Sequence, residues 1–367
     1  MSDTSPQAIF EPVSFSELPG WETDDHPAAF EAFLSSAAAV LAGNNAIAAG
    51  LRAACRTALE LKAAGPVGAA AARCFFEGNF TPHGAGRASQ AGLLTGYYEP
   101  ELAGSLRQTG AFDVPVLARP ADLVNLVDES QRGALSDRLT HARRTSDGTI
   151  DPYFDRQEID EGVLDGRGLE IAYVADPVDL FFMQVQGSGL IRLQDGSGLR
   201  VGYDGKNGHP YTSLGRHLIE TGLFTAEAMN LASLTQWLKA DSARARPLLW
   251  RNRSYVFFRV LGSEQEIRTL GTDAIPLTPL RSLAVDTAFH ELGLPVHVSA
   301  PDLGHILDGG DGFHRLMVAH DVGSAIKGPE RGDVFCGSGR TAGAIAGMTK
   351  HAVRFFPLLP KRSGDGD

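Results

Sequence analysis

Apolar residues recur at helical spacing through the first part of the chain and give way to short runs afterwards. Phe30, Phe33, Leu34, Ala37 and Leu41 fall on one helix face. Asp25 is placed to cap that helix, Pro27 fits its first turn and Gly43 ends it. The same spacing predicts a second helix over about 51–64, stopped by Gly65-Pro66, and a third over about 68–77. At Leu93 the pattern changes. LLTGYYEP is apolar, aromatic and bounded by Gly92 and Pro100, which predicts a strand. To about Arg200 the chain reads as β, with turns at Asp147-Gly148, Asp165-Gly166 and Asp195-Gly196. Pro115 makes the strand around Val114 and Val116 an edge strand. Asp176-Pro177 opens a helix into VDLFFMQVQGSG, and LIRLQDGSGLRVGY predicts two strands around a turn. Helices return over about 212–220, 225–240 and 242–250, before the strand SYVFFRVL and the short strands LPVHVSAP and HRLMVAHD. Many short strands joined by Gly and Pro turns predict small barrels rather than a parallel α/β sheet.

The length of 367 residues predicts one large or two medium domains. With 43% hydrophobic and 21% charged residues, the chain reads as soluble and globular with a full core. Its 33 basic and 44 acidic residues are dispersed, which argues against a nucleic-acid or anionic-membrane partner. Three cysteines without paired spacing supply neither a disulfide framework nor a zinc signature. Cys55 and Cys74 sit in helical patterns and read as buried apolar residues. No P-loop, H-E-x-x-H or G-x-S-x-G motif occurs, so no cofactor or metal is expected. The opening MSDTSPQAIFEP lacks the basic and apolar regions of a signal peptide.

The candidate chemistry begins with carboxylates. Asp321 and Asp333 each open a short apolar step within the glycine-rich stretch 318–347, and Asp286 ends the run SLAVD. Acids on short strands, among glycines that admit backbone or ligand, mark a site. Asp beside Gly is equally the chemistry of a tight turn. Two further stretches carry the aromatic faces and planar hydrogen-bonding groups that sugars need. One supplies Thr95, Tyr97 and Tyr98; the other supplies Gln184, Gln186, Gly187, Ser188, Tyr203, Lys206, Asn207 and Tyr211. Taken singly, each has a plainer reading as a half-buried strand residue or a turn.

Read together, ELPGW (17–21), TGYYEP (95–100), DPVDLFFMQVQGSG (176–189), GYDGKNGHPYTSLG (202–215), NRSYVFFR (252–259) and PLTPLRSLAVD (276–286) form an ordered set of motifs. With DVGSAIKG (321–328) and GDVFCGSGRTAGAIAGM (332–348), they resemble the membrane-bound lytic transglycosylase A (MltA) family of bacterial peptidoglycan-cleaving enzymes. The last three look like the three-aspartate (3D) module, over about 276–350. The resemblance implies an α+β fold, mainly β. A double-psi β-barrel domain would come from residues 1–102 and 245–367, and a smaller β-barrel would be inserted over 103–244. A groove between them would bind the glycan strand.

The implied reaction cleaves the β-1,4 bond between N-acetylmuramic acid and N-acetylglucosamine and leaves a 1,6-anhydromuramic end. The implied catalytic residue is Asp333, as general acid and then base, and its pKa must be raised for that work. Asp321 and Lys327 would line the groove, while Asp286 would be structural. The expected partners are peptidoglycan strands and other cell-wall enzymes, in a periplasmic, outer-membrane-associated setting. Lipid-anchored members carry a modified cysteine near the start; here the first cysteine, Cys55, lies in a helical pattern, so this N-terminus does not support anchoring. Two other readings stand beside this one. They are a glycoside hydrolase using Asp333 with Asp321 or Glu99, and a non-catalytic peptidoglycan-binding module.

Overall fold

The computed structural model describes residues 10–42, 49–85, 92–125, 139–263, 269–306, 312–323 and 325–361. The chain is mixed α+β and divides into two compact units. One comprises Met1–Tyr98, Arg268–Gly337 and Thr341–Asp367; the other comprises Glu99–Ile267 with Ser338–Arg340.

The first unit opens with β1 (Phe10–Pro12), α1 (His26–Ala42), α2 (Ala49–Ala63), α3 (Ala69–Asn79), β2 (Phe80–Ala85) and β3 (Gly92–Glu99). The predicted face of α1 is the buried one: Phe30, Phe33 and Ala37 are wholly enclosed. Asp25 Oδ1 accepts from Ala28 N at 3.0 Å, satisfying a backbone N–H that the first turn leaves open. The stop signal Gly43 and the tail after Lys361 lie outside the described residues. Phe75 of α3 meets Phe30 edge-on, with centroids 5.1 Å apart. Cys55 is buried, but Cys74 is exposed, against expectation. Phe75 and Phe76 take the inward face of α3, and Cys74 is turned outward beside them.

The second unit holds β4 (Glu101–Ser105), β5 (Val114–Leu117), β6 (Leu123–Asn125), β7 (His141–Arg144), β8 (Ile150–Asp151), α4 (Arg156–Asp160) and β9 (Glu170–Val174). It continues with α5 (Pro177–Gln186), β10 (Ser188–Leu193), β11 (Gly198–Lys206), α6 (Leu214–Glu220), α7 (Leu231–Lys239), α8 (Ser242–Leu249) and β12 (Val256–Ser263). Six strands form a sheet in the order β12-β11-β10-β4-β9-β5, and β6-β7-β8 form a second. Pro115 does lie on the edge strand β5. Just beyond it Ala118 bridges to Phe258 of β12, which draws the two edges of the sheet together. Because β12 pairs with β11, residues 245–263, expected with the first domain, lie in this unit. Helix α7 starts later than its pattern predicts, because Asn230 caps it: Ser233 N donates to Asn230 Oδ1 at 2.9 Å.

The chain then returns to the first unit with β13 (Ser282–Val285), β14 (Pro295–Ala300), β15 (Phe313–Val322), β16 (Arg331–Ser338), α9 (Gly339–Met348) and β17 (Lys350–Pro360). The strands β3, β17, β14, β15, β13 and β16 close into a six-stranded ring, since β3 pairs with both β16 and β17. Within it β13 and β15 run parallel. This is the double-psi barrel that the resemblance implies, and it encloses Leu94, Leu283, Val296, Met317 and Val334. Helix α9 was not legible in the sequence. Its Gly- and Ala-rich text carries little apolar patterning, yet Ala342 and Ala346 pack on the barrel core. The smallness is functional packing: a Cβ at Gly343 would come within 2.8 Å of the Tyr98 ring.

Candidate active site

Side chains two apart on a strand share a face, and this alternation builds the site. On β16, Val334 and Cys336 point into the barrel core, so Arg331, Asp333 and Phe335 take the other side. On β3, Leu94 is enclosed in the same core, which leaves Thr95 and Tyr97 on the opposite face. The Tyr97 ring rests against Phe335, with centroids 5.3 Å apart. Gly96 between them is required by close packing, since a Cβ there would lie 2.9 Å from Ala346 Cα.

Thr95 Oγ1 donates to Asp333 Oδ1 at 2.7 Å, and Tyr97 OH donates to Asp321 Oδ2 at 3.0 Å. Asp321 comes from the end of β15 and pairs across β13 with Ala284, the residue that also pairs with Asp333. Four predicted residues, Thr95, Tyr97, Asp321 and Asp333, therefore meet on one face of the barrel. Arg331 completes the group. Its Nη2 donates to Thr95 Oγ1 at 2.9 Å, and its Nη1 donates to Leu93 O at 3.3 Å and to Gly332 O.

The two carboxylates differ in their surroundings. Burial pushes Asp333 up to about 6, opposed by the Thr95 bond and the Arg331 charge and helped by the charge of Asp321. Burial also raises Asp321, but four hydrogen bonds pull the other way. Its Oδ1 accepts from Thr272 N at 3.1 Å, Thr272 Oγ1 at 2.9 Å and Val322 N at 2.9 Å, and its Oδ2 accepts from Tyr97. Among the described residues, Thr95 is the one hydrogen-bond partner of the Asp333 carboxyl. Asp333 thus has an oxygen free for chemistry, while Asp321 anchors the segment at Thr272. Burial pushes the Tyr97 phenol far above its ordinary value, so it stays a proton donor to Asp321.

Asp286 stands at the end of β13. It accepts from Ala288 N at 3.2 Å and Gly328 N at 2.9 Å, the backbone role expected of it. Lys327 lies 3.7 Å from Asp286, with its side chain largely exposed.

In the second unit, two predicted ligand-binding residues are committed to the fold. Asn207 is wholly buried; its Nδ2 donates to Phe154 O and Arg253 O, and its Oδ1 accepts from Tyr255 N. Both amide hydrogens are used, so it ties its own segment to two others rather than to a ligand. Gln184 is also buried, with Oε1 accepting from Arg156 at 2.7 Å and Nε2 donating to Val256 O at 3.1 Å. The sequence pattern did not single out Arg156, whose guanidinium is stacked on Phe181 and Tyr255 and holds the carbonyls of Asn252 and Ser254. Gly187 ends α5 in a left-handed conformation (φ 82°) and Ser188 begins β10. Gln186 and Lys206 are half-buried, while Tyr203 and Tyr211 expose their rings.

Comparison with known proteins places this geometry. A structure of membrane-bound lytic murein transglycosylase from Agrobacterium tumefaciens is 37% identical, covers 96% of this chain and 98% of its own, and superposes with a TM-score of 0.84. The chain belongs to the MltA family. The family model for the MltA specific insert domain matches residues 93–259, and that for the 3D domain matches 281–359. The MltA 3D match contains Asp286, Asp321 and Asp333, and the insert match begins just before Thr95. Membrane-bound lytic murein transglycosylase A of Vibrio cholerae is 39% identical over 208 residues, a stretch that spans 55% of each chain. Escherichia coli MltA with bound chitohexaose is 26% identical, with a TM-score of 0.71 over 96% of this chain and 95% of that one. Among the described residues of this chain, no helix is long and apolar enough to cross a membrane.

Proposed function

We propose that this protein is a peptidoglycan lytic transglycosylase with Asp333 as its single acid and base. The observation that carries the reading is the half-buried carboxyl of Asp333, raised to about 6 and bonded on one oxygen only. A bound glycan strand displaces the remaining water and raises it further, so the carboxyl enters the reaction protonated.

The step balances without water. Asp333 gives its proton to the glycosidic oxygen as the bond from the muramic C1 breaks and its electron pair leaves on that oxygen. The C6 hydroxyl oxygen of the same sugar bonds to C1, and its proton passes to Asp333. One product is a new hydroxyl on N-acetylglucosamine; the other is a 1,6-anhydro ring; the carboxyl ends as it began. Intramolecular attack draws its rate from proximity, so no second carboxylate is needed to activate a water. Such a substrate sets the enzyme in the periplasm. The E. coli MltA complex with chitohexaose supports an amino-sugar strand as ligand.

The test is mass spectrometry of digested peptidoglycan sacculi. Anhydromuramic ends from the wild type, absent with Asp333→Asn, are expected. Reducing ends instead would establish the hydrolase, which needs a second free carboxylate. The four hydrogen bonds on Asp321 speak against that role.

A further inference from the structure

We propose that Arg331, acting through Thr95, fixes which oxygen of Asp333 carries the catalytic proton, so that Oδ2 alone exchanges protons with the substrate. The proposal rests on the transglycosylase reading and assigns Thr95, expected to touch the sugar, a positioning role.

The argument is one of donors and acceptors. A guanidinium can only donate. Arg331 Nη2 donates to Thr95 Oγ1 at 2.9 Å, so that oxygen is an acceptor towards Arg331. The hydroxyl has one hydrogen, and the bond it makes is to Asp333 Oδ1 at 2.7 Å. Among the described residues Thr95 Oγ1 has no other acceptor, so a proton on Oδ1 would leave the hydroxyl hydrogen without a partner. Oδ1 is thereby held as an acceptor, and the acid proton resides on Oδ2. The guanidinium is itself pinned. Its Nη1 donates to Leu93 O on β3 and to Gly332 O on β16, so it bridges the strands that carry Thr95 and Asp333.

Polarity matters for a carboxyl that works twice. The same oxygen must give a proton to the leaving group and then take one from the C6 hydroxyl. If either oxygen could hold the proton, part of the protein would present the wrong one to the substrate. The relay also favours the ionised form: the Thr95 bond and the Arg331 charge both lower the Asp333 pKa against its burial.

The experiment measures anhydromuropeptide release against pH for the wild type, Thr95→Val, Thr95→Ser, Arg331→Met and the double variant Thr95→Val/Arg331→Met. Asp333 is followed in parallel by its carboxyl carbon resonance. Thr95→Val is expected to slow the optimum rate by about tenfold or more and to move the Asp333 titration to higher pH, because a bond to the carboxylate is lost. Thr95→Ser should restore both. The double variant should be no slower than Thr95→Val, since Arg331 acts on the rate through Thr95. Rate losses that multiply, a titration that does not move, or a serine that fails to rescue would each overturn the proposal. If Thr95→Val does not fold, Arg331→Gln, which leaves the hydroxyl in place, must still move the Asp333 titration upward. Reducing ends from the wild type would instead sink the transglycosylase reading, with the resonance titration then deciding the relay alone.

Discussion

Asp321 and Asp333 lie in one cross-strand row, on either side of Ala284 in β13. Adjacent strands are about 4.8 Å apart, so the two backbones stand roughly 10 Å from each other with both side chains on one face. At that range the charge of Asp321 adds to the elevation of Asp333 without dominating it; burial comes first. The acid strength of the site is therefore a property of the barrel wall more than of the aspartate pair.

The rate should carry an alkaline limb from Asp333. A general acid must be protonated, so release of anhydro products should fall as pH rises through about 6 in the free enzyme, by tenfold per pH unit beyond. Initial rates of kcat/KM on sacculi read this directly. A rate that keeps rising to about pH 8 would remove Asp333 as the acid.

Removing the charge should stabilise the protein near neutrality. The folded pKa of Asp333 is about 6 and the ordinary value is 3.8. The protein binds the proton more tightly folded than unfolded. Stability from this group is complete below the ordinary value and is lost as pH rises through about 6. The full loss is at most about 3 kcal/mol, offset in Asp333→Asn by the weakened contacts to Thr95 and Arg331. Thermal melts should therefore favour Asp333→Asn at about pH 7.5 and show less advantage at about pH 4. The same difference at both values would contradict the elevated pKa.

Asp321→Asn should act on stability first. The asparagine amide keeps one acceptor oxygen where four donors now converge, so the Thr272 segment loses its anchor at a cost of about 1–3 kcal/mol. With one negative charge gone, the alkaline limb should move to lower pH, because Asp321 raises Asp333. Products should remain anhydro. An alkaline limb that does not move would mean that the charge of Asp321 does not reach the acid.

These effects show what sequence could and could not reveal. The helices of the first unit and the strands β3, β10, β11 and β12 follow from apolar spacing and turn residues, because each buries one side in a periodic way. Asp333 and Thr95, 238 residues apart in the chain, were singled out as an acid among glycines and as part of a sugar-type stretch, and motif resemblance then gave Asp333 its expected catalytic role. Arg331 was missed, although its place two residues before Asp333 puts it on the same strand face. Asn207 and Gln184 mislead for the opposite reason. An amide suited to a sugar is equally suited to a backbone carbonyl, and only the fold shows that carbonyls have claimed them. Helix α9 was hidden because its packing depends on residues being small, not apolar.

Asn207→Ala tests that distinction. The substitution leaves Phe154 O and Tyr255 N without their partner inside the protein and takes one of two donors from Arg253 O, which keeps Arg156 N; this should cost about 3 kcal/mol. Urea unfolding should show that loss, while chitohexaose affinity, measured well below the melting temperature, should be unchanged. Weakened binding without lost stability would return Asn207 to the ligand.

Acid should destabilise the barrel through its enclosed histidines. His297 and His320 are fully buried, and burial lowers them to about 4 and about 3 respectively. His297 Nε2 donates to Pro19 O and His320 Nδ1 shares a hydrogen bond with Ser282 Oγ, so each is held neutral by its packing. Their ordinary value is 6.5, so the unfolded chain takes up protons below that pH while the folded chain does not. Stability from these two groups is complete above 6.5 and is lost progressively down to about 4 for His297 and about 3 for His320. Asp333 works in the opposite sense over part of the same range, which softens the slope between about 6 and 4. Urea midpoints measured across pH should fall towards acid in the wild type. The fall should be shallower in His320→Gln and still shallower when His297→Gln is added, even though both variants start from lower stability. An unchanged slope in the double variant would mean that other groups drive the acid transition.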